Sequence, residues 1–118
     1  MQPKQELNQR DVVAYKVLRS LEKHPDATQR DIAGLSRVSL GAVNYCLRAL
    51  QEKGLVKVKN FRASGNKKRY AYILTPKGLA EKAVLAQAFL KRKLVEYEKI
   101  QNEIEEIEAE LKISKSQP

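Results

Sequence analysis

The sequence predicts a mainly α-helical chain with one small β-hairpin (α+β), followed by a single long C-terminal helix. Three observations carry that prediction. Apolar residues recur at spacings of three and four through residues 9–53, the period of one helix face. Two short stretches with period-two alternation then flank "ASGNKK", a turn-rich segment at 63–68. From residue 79 to residue 113 there is neither proline nor glycine.

The first helix lies in "LNQRDVVAYKVLRSLEKH", with Val13, Val17, Leu18 and Leu21 on one side and Ala14 beside them. Asn8 is placed to cap its start. Pro25 closes it, because the residue before a proline resists helical angles. The second helix is short. Thr28 is its N-cap, Asp31 favours its positive end, and Ile32 and Leu35 are expected to point inward. After "SRV", Ser39 caps a third helix that runs to about Lys53, where Gly54 supplies a C′ glycine. Its core stripe is Val43, Cys46, Leu47 and Leu50. Its other side carries Gly41, Tyr45 and Arg48, with Asn44 on the flank. "LVKVKNFR" and "RYAYILT" are the hairpin strands. Thr75 and Pro76 restart a helix as N-cap and N1, and Gly78 in its first turn is a modest weakness. The resulting units are a domain over 7–75, a helix over 76–112 and a frayed tail over 113–118.

Two short helices joined by a tight turn match a helix-turn-helix, whose second helix enters the DNA major groove; a basic hairpin directly after it makes the winged form. The major groove is about 12 Å wide and admits a helix. On this reading the greasy side of residues 39–53 anchors the helix and the polar side meets a duplex. Gly41 lets the helix start approach a phosphate or base edge closely. Asn44 suits adenine or a phosphate, Arg48 suits a phosphate or guanine, and Tyr45 suits a phosphate, sugar or thymine methyl. Ser39 lies at the helix start, and Gln29 and Arg30 open the second helix, where amides and cations hold phosphates. Arg62, Lys67, Lys68 and Arg69 surround the wing tip, with no acid between residues 60 and 75. Arg37 occupies the sharp-turn position that often holds glycine. Arginine there either bears a left-handed backbone, at about 1–2 kcal/mol, or marks a different turn, and it is itself placed to meet a phosphate.

Charge supports this. The chain carries +9. Residues 1–93 carry +13 and residues 94–118 carry −4, so a basic domain precedes an acidic tail. A basic excess of this size suits a polyanionic partner. No run of about 18 apolar residues is present, so no transmembrane helix and no membrane partner are expected. The start "MQPKQELNQR" has no apolar stretch of a secretory signal. One cysteine, Cys46, excludes an internal disulfide, and one histidine, His24, argues against a metal site. No nucleophile–base pair or glycine-rich phosphate loop appears, so the chain is read as a non-enzyme with no catalytic residue, cofactor or metal. Cys46 reads as a small buried hydrophobe, with a redox switch as the alternative.

"TQRDIAGLSRVSLGAVNYCLRALQEKGLVKVKNF", together with "LTPKG" and a helix that is basic and then acidic, resembles the short MarR-type winged-helix regulators associated with exopolysaccharide (EPS). The likeness covers residues 7–112. It implies a bacterial, homodimeric, DNA-binding transcription regulator linked to polysaccharide gene clusters, in the cytoplasm and associated with the nucleoid. Larger MarR proteins often bind phenolic ligands between their domains. The residues here establish no such pocket, and a small-molecule effector is unknown.

The last helix reads as a pairing device. On a heptad, positions a fall on Ala83, Leu90, Tyr97, Ile104 and Leu111, and positions d on Leu79, Ala86, Lys93, Ile100 and Ile107. Only Lys93 breaks this coiled-coil-like seam. Leu90, Tyr97, Ile100, Ile104, Ile107 and Leu111 are the expected dimerisation residues. An antiparallel pair crossing near residue 99 sets the basic 91–93 beside the partner's acidic 103–108, whereas a parallel pair sets Glu103 against Glu108. Two rivals remain: a winged-helix protein-interaction adaptor without specific DNA binding, and an RNA binder that stacks bases on Tyr70 and Tyr72.

Overall fold

The computed structural model describes residues 7–62 and 68–112. Six elements follow in order: α1 (Gln9–Lys23), α2 (Gln29–Ser36), α3 (Leu40–Glu52), β1 (Val56–Arg62), β2 (Lys68–Leu74) and α4 (Pro76–Glu110). Three helices followed by a hairpin and a long helix is the winged helix-turn-helix architecture. The expected segment 113–118 and the wing-tip residue Lys67 lie outside the described residues.

The helix starts are fixed by reciprocal capping boxes. The Asn8 side chain accepts from the Asp11 N–H at 2.9 Å, and the Asp11 carboxylate accepts from the Asn8 N–H at 3.0 Å. Thr28 and Asp31 repeat the arrangement at the start of α2, at 3.2 and 3.0 Å. Ser39 Oγ accepts from the Ala42 N–H at the start of α3. Between them Val17, Leu18, Leu21, Ile32, Val43, Leu47 and Leu50 form the centre of the core, joined by Leu55, Val56, Tyr72 and Leu85.

Two expectations change. Leu35 does not point inward: it is 50 % exposed. Ser36 takes the inward place, four residues after the fully buried Ile32, and its Oγ lies 3.0 Å from Ser20 Oγ on α1. Ser20 donates its only hydroxyl proton to the Lys16 carbonyl at 2.9 Å, so Ser36 is the donor in the serine pair. Gly78 is not a weakness but a requirement. A Cβ built there would lie 2.1 Å from the Leu55 carbonyl oxygen. The N-terminus of α4 thus presses on the chain entering β1, and Thr75 locks the junction. Its Oγ1 donates to the Gly54 carbonyl at 2.7 Å, and its N–H donates to the Leu55 carbonyl at 3.1 Å.

The turn between α2 and α3 is the left-handed one. Arg37 sits at φ 56°, ψ 41°, and its N–H donates to the Ala33 carbonyl. That conformation costs a non-glycine residue about 1–2 kcal/mol. Gly54, at φ 74°, ends α3 as expected.

β1 and β2 pair antiparallel, from Val56↔Leu74 to Arg62↔Lys68. Among the hairpin residues whose burial is described, Val56, Ala71 and Tyr72 are inside, while Val58, Tyr70 and Ile73 are exposed. α4 rejoins the domain through Leu85 and Ala88, the stacking of Phe89 on Tyr15 at 4.4 Å, and a Lys82–Glu22 ion pair. From residue 91 it projects outward, giving the described chain a long axis of 66 Å.

Candidate nucleic-acid interface

α3 has two unlike faces. Val43, Cys46, Leu47 and Leu50 are buried in the core, and Gly41, Tyr45 and Arg48 are exposed. Tyr45 is 63 % exposed although it is a large aromatic. A Cβ added to Gly41 would meet no heavy atom within 4 Å. Among the described residues nothing requires glycine there, in contrast to Gly78. Ser39, Arg30 and Arg37 are exposed at the neighbouring helix ends. Gly41, Tyr45, Arg48, Ser39, Arg30 and Arg37 are therefore all open to an outside partner.

Gln29 and Asn44 differ from the rest. Each is half-buried. Asn44 Nδ2 donates to Gln29 Oε1 at 3.2 Å, and Gln29 Nε2 donates to the Tyr72 hydroxyl at 2.8 Å. These bonds tie α3, α2 and β2 into one unit. Gln29 spends both ends of its amide inside the chain, so it positions Asn44 instead of presenting a free amide. Asn44 keeps its side-chain carbonyl and a second amide hydrogen for an outside partner. Tyr72 is tied to this pair by position in the fold, which its place in the strand pattern does not reveal. Named above for base stacking in the RNA alternative, it is instead buried as the end of this relay. Tyr70 and Leu40 join Gln29, Arg30 and Tyr72 around an open concavity of about 420 Å³ beside the start of α3.

In the wing, Arg62 and Lys68 face each other as the last described pair of the hairpin, with Arg69 paired to Phe61. These three therefore stand next to the tip. Lys57 and Lys59 on β1 are exposed and extend the basic surface toward the hairpin base.

Cys46 lies behind this interface. Burial pushes its thiol up to about 11, with Lys53 acting weakly the other way. It stays protonated near neutral pH, as suits a packing residue. It borders a largely apolar cavity of about 460 Å³ between α1, α3 and the start of α4, whose walls include Val13, Ala14, Leu50 and Leu85. No pattern of residue types marks that cavity. Among the described residues no group of three His, Cys, Asp or Glu gathers as a metal site, and no helix is long and apolar enough to cross a membrane.

Residues 10–57 match the family model described as winged helix-turn-helix DNA-binding. No curated protein matches the chain. Several solved structures share its fold. A protein from Streptococcus mutans superposes with a TM-score of 0.71 at 18 % identity, over 79 % of this chain and 90 % of that one. Lactococcus lactis ZitR, solved in complex with DNA, gives 0.59 at 23 % identity, over 95 % and 75 %. A MarR family transcription regulator gives 0.58 at 21 % identity, over 85 % and 72 %. By fold, the chain is a winged helix-turn-helix protein, built like the MarR family transcription regulators.

Proposed function

We propose that this chain is a MarR-type transcription regulator that binds double-stranded DNA sequence-specifically as a homodimer, with residues 7–75 reading DNA and residues 76–112 pairing the subunits. The observation that carries the DNA reading is the two-sided α3. Its apolar face is sealed in the core, while Gly41, Tyr45 and Arg48 stand open, as do Arg30, Arg37 and Ser39 at the neighbouring helix ends. The match of residues 10–57 and the DNA complex of Lactococcus lactis ZitR support it. Arg62, Lys67, Lys68 and Arg69 of the wing then hold the backbone or minor groove. Exopolysaccharide genes are the proposed targets, on the resemblance of the sequence alone.

Mobility shift on fragments selected from genomic DNA, with competitor and a salt series, tests the DNA reading. Retention with a steep salt slope is expected, about −0.9 per neutralised phosphate. No retention at low salt would instead favour the protein-interaction adaptor. Arg48→Ala is expected to weaken specific binding by about 1–3 kcal/mol while the thermal melt is unchanged; equal binding by both proteins removes Arg48 from the interface.

The homodimer reading rests on the exposed stripe of α4. Leu90, Tyr97, Ile100, Ile104, Ile107 and Leu111 are all exposed in the single chain. Antiparallel pairing, crossing near residue 99, places Lys91, Arg92 and Lys93 beside the partner's acidic segment. Spin labels at position 108 of both subunits test the direction. A separation near 10 Å, the spacing of packed helices, contradicts it.

A further inference from the structure

The α1 surface next to the α2–α3 turn carries a second cluster of cations that neither the core nor the interface above uses. Lys16, Arg19 and Lys23 follow one another along one side of α1 and span about 10 Å at 1.5 Å per residue. With Arg37 they surround an open concavity of about 420 Å³, at whose base the buried Ser20 and Ser36 meet. All four cations are exposed, and no carboxylate lines the concavity. Among the described residues none of the four makes an ion pair.

This arrangement works against the fold. Lys16–Arg19 and Arg19–Lys23 are like-charge pairs at spacings of three and four, which repel on a helix surface. Elsewhere on α1 the chain neutralises charge, as in the Glu22–Lys82 pair. Arg37 adds a fourth positive charge from a left-handed position that glycine would fill without strain. The surface is also continuous with the candidate interface, because Arg37 belongs to both. A duplex that lay across α3 and ran on past the turn would meet this face with its backbone phosphates.

We propose that Lys16, Arg19, Lys23 and Arg37 form a second phosphate-binding face that grips the duplex backbone flanking the half-site read by α3. It rests on the DNA reading above and deepens it: contact with DNA extends past the recognition helix onto α1.

The test uses the full chain and a duplex selected from genomic fragments, both trimmed to its protected centre and with about one further helical turn (10 bp) on each side. The Lys16→Ala/Arg19→Ala/Lys23→Ala protein is expected to bind the long duplex about tenfold or more weakly at 0.1 M salt, with a salt slope shallower by about 2–3. Its binding to the trimmed duplex is expected to equal wild type. Unchanged affinity for the long duplex overturns the proposal and points to an acidic protein partner; equal losses on both duplexes overturn it as general charge loss. Wild type that binds neither duplex overturns the DNA reading and this proposal together, whereas wild type that binds the trimmed duplex keeps the first whatever becomes of the second. Replacing the three cations by glutamine, which retains much of the side-chain length, repeats the measurement should the alanine protein melt early.

Discussion

The domain over residues 7–75 and the outer half of α4 solve the same burial problem in opposite ways. In the domain each apolar stripe meets another inside the same chain: Val17, Leu18, Ile32, Val43 and Leu47 reach zero exposure. Beyond residue 91 the stripe is as regular, yet Tyr97, Ile100, Ile104 and Ile107 all remain open. The contrast separates two kinds of stability. The domain has a core of its own, whereas the outer helix lacks partners among the described residues, and the proposed antiparallel second chain would bring them. A 20-residue helical extension is marginal in isolation, since most helical stability comes from packing an amphipathic face.

The largest effect is expected where that contrast is sharpest. Ile100→Asp/Ile104→Asp removes four side chains from a paired seam, each worth about 1.5–3 kcal/mol when buried. Self-association measured by sedimentation is expected to weaken by about 1000-fold or more, while the domain keeps its hydrogen-exchange protection. Loss of protection in the domain would break the division into two regions. Next, Gly78→Ala strikes the junction between the regions. Its Cβ would overlap the Leu55 carbonyl, and a cost of about 3 kcal/mol in chemical denaturation is expected for such overpacking. A shift near zero would mean that α4 slides on the domain without resistance.

The domain core is also expected to weaken in alkali. Cys46 is raised by burial from 9.0 to about 11. Its folded pKa lies above the unfolded value, so its contribution is fully present below pH 9 and is lost as pH rises toward 11. The unfolded chain ionises first and is favoured there. Between those limits wild type is expected to lose about 2–3 kcal/mol more than Cys46→Ala, at 1.36 kcal/mol per unit. Parallel pH curves would show that water reaches the thiol. The smallest change in stability is expected from Gly41→Ala, which fills open space on a helix and gains up to about 1 kcal/mol. DNA affinity is expected to fall in the same protein. Stability and binding that rise together would remove the close-approach role of Gly41.

Much of this was legible from residue types alone. Asn8, Thr28, Ser39 and Thr75 cap the helices they were expected to cap. The α3 stripe lies where its spacing put it, because a 13-residue helix has enough turns to define a face. α2 has eight residues, and that is too few. Its inward place went to Ser36 and not to Leu35 because Ser20, sixteen positions earlier, offers a hydroxyl partner. The demand for glycine at 78 comes from a carbonyl at residue 55. The Gln29–Asn44 bond depends on β2 bringing Tyr72 to them. Local pattern reveals caps and faces; contacts between distant segments decide which polar residue is spent inside and which is left for a partner.

α4 also fixes a length. Between Leu85, held in the domain, and Ile107, on the open stripe, the chain is one unbroken rod with no joint. Adding or removing a single residue between them would turn one end against the other by about 100° and shift it by 1.5 Å. Changes close to whole turns, such as seven, eleven or eighteen residues, keep both ends near their present directions. The number of residues in this rod therefore sets how its two ends face each other, and the rod works as a gauge block.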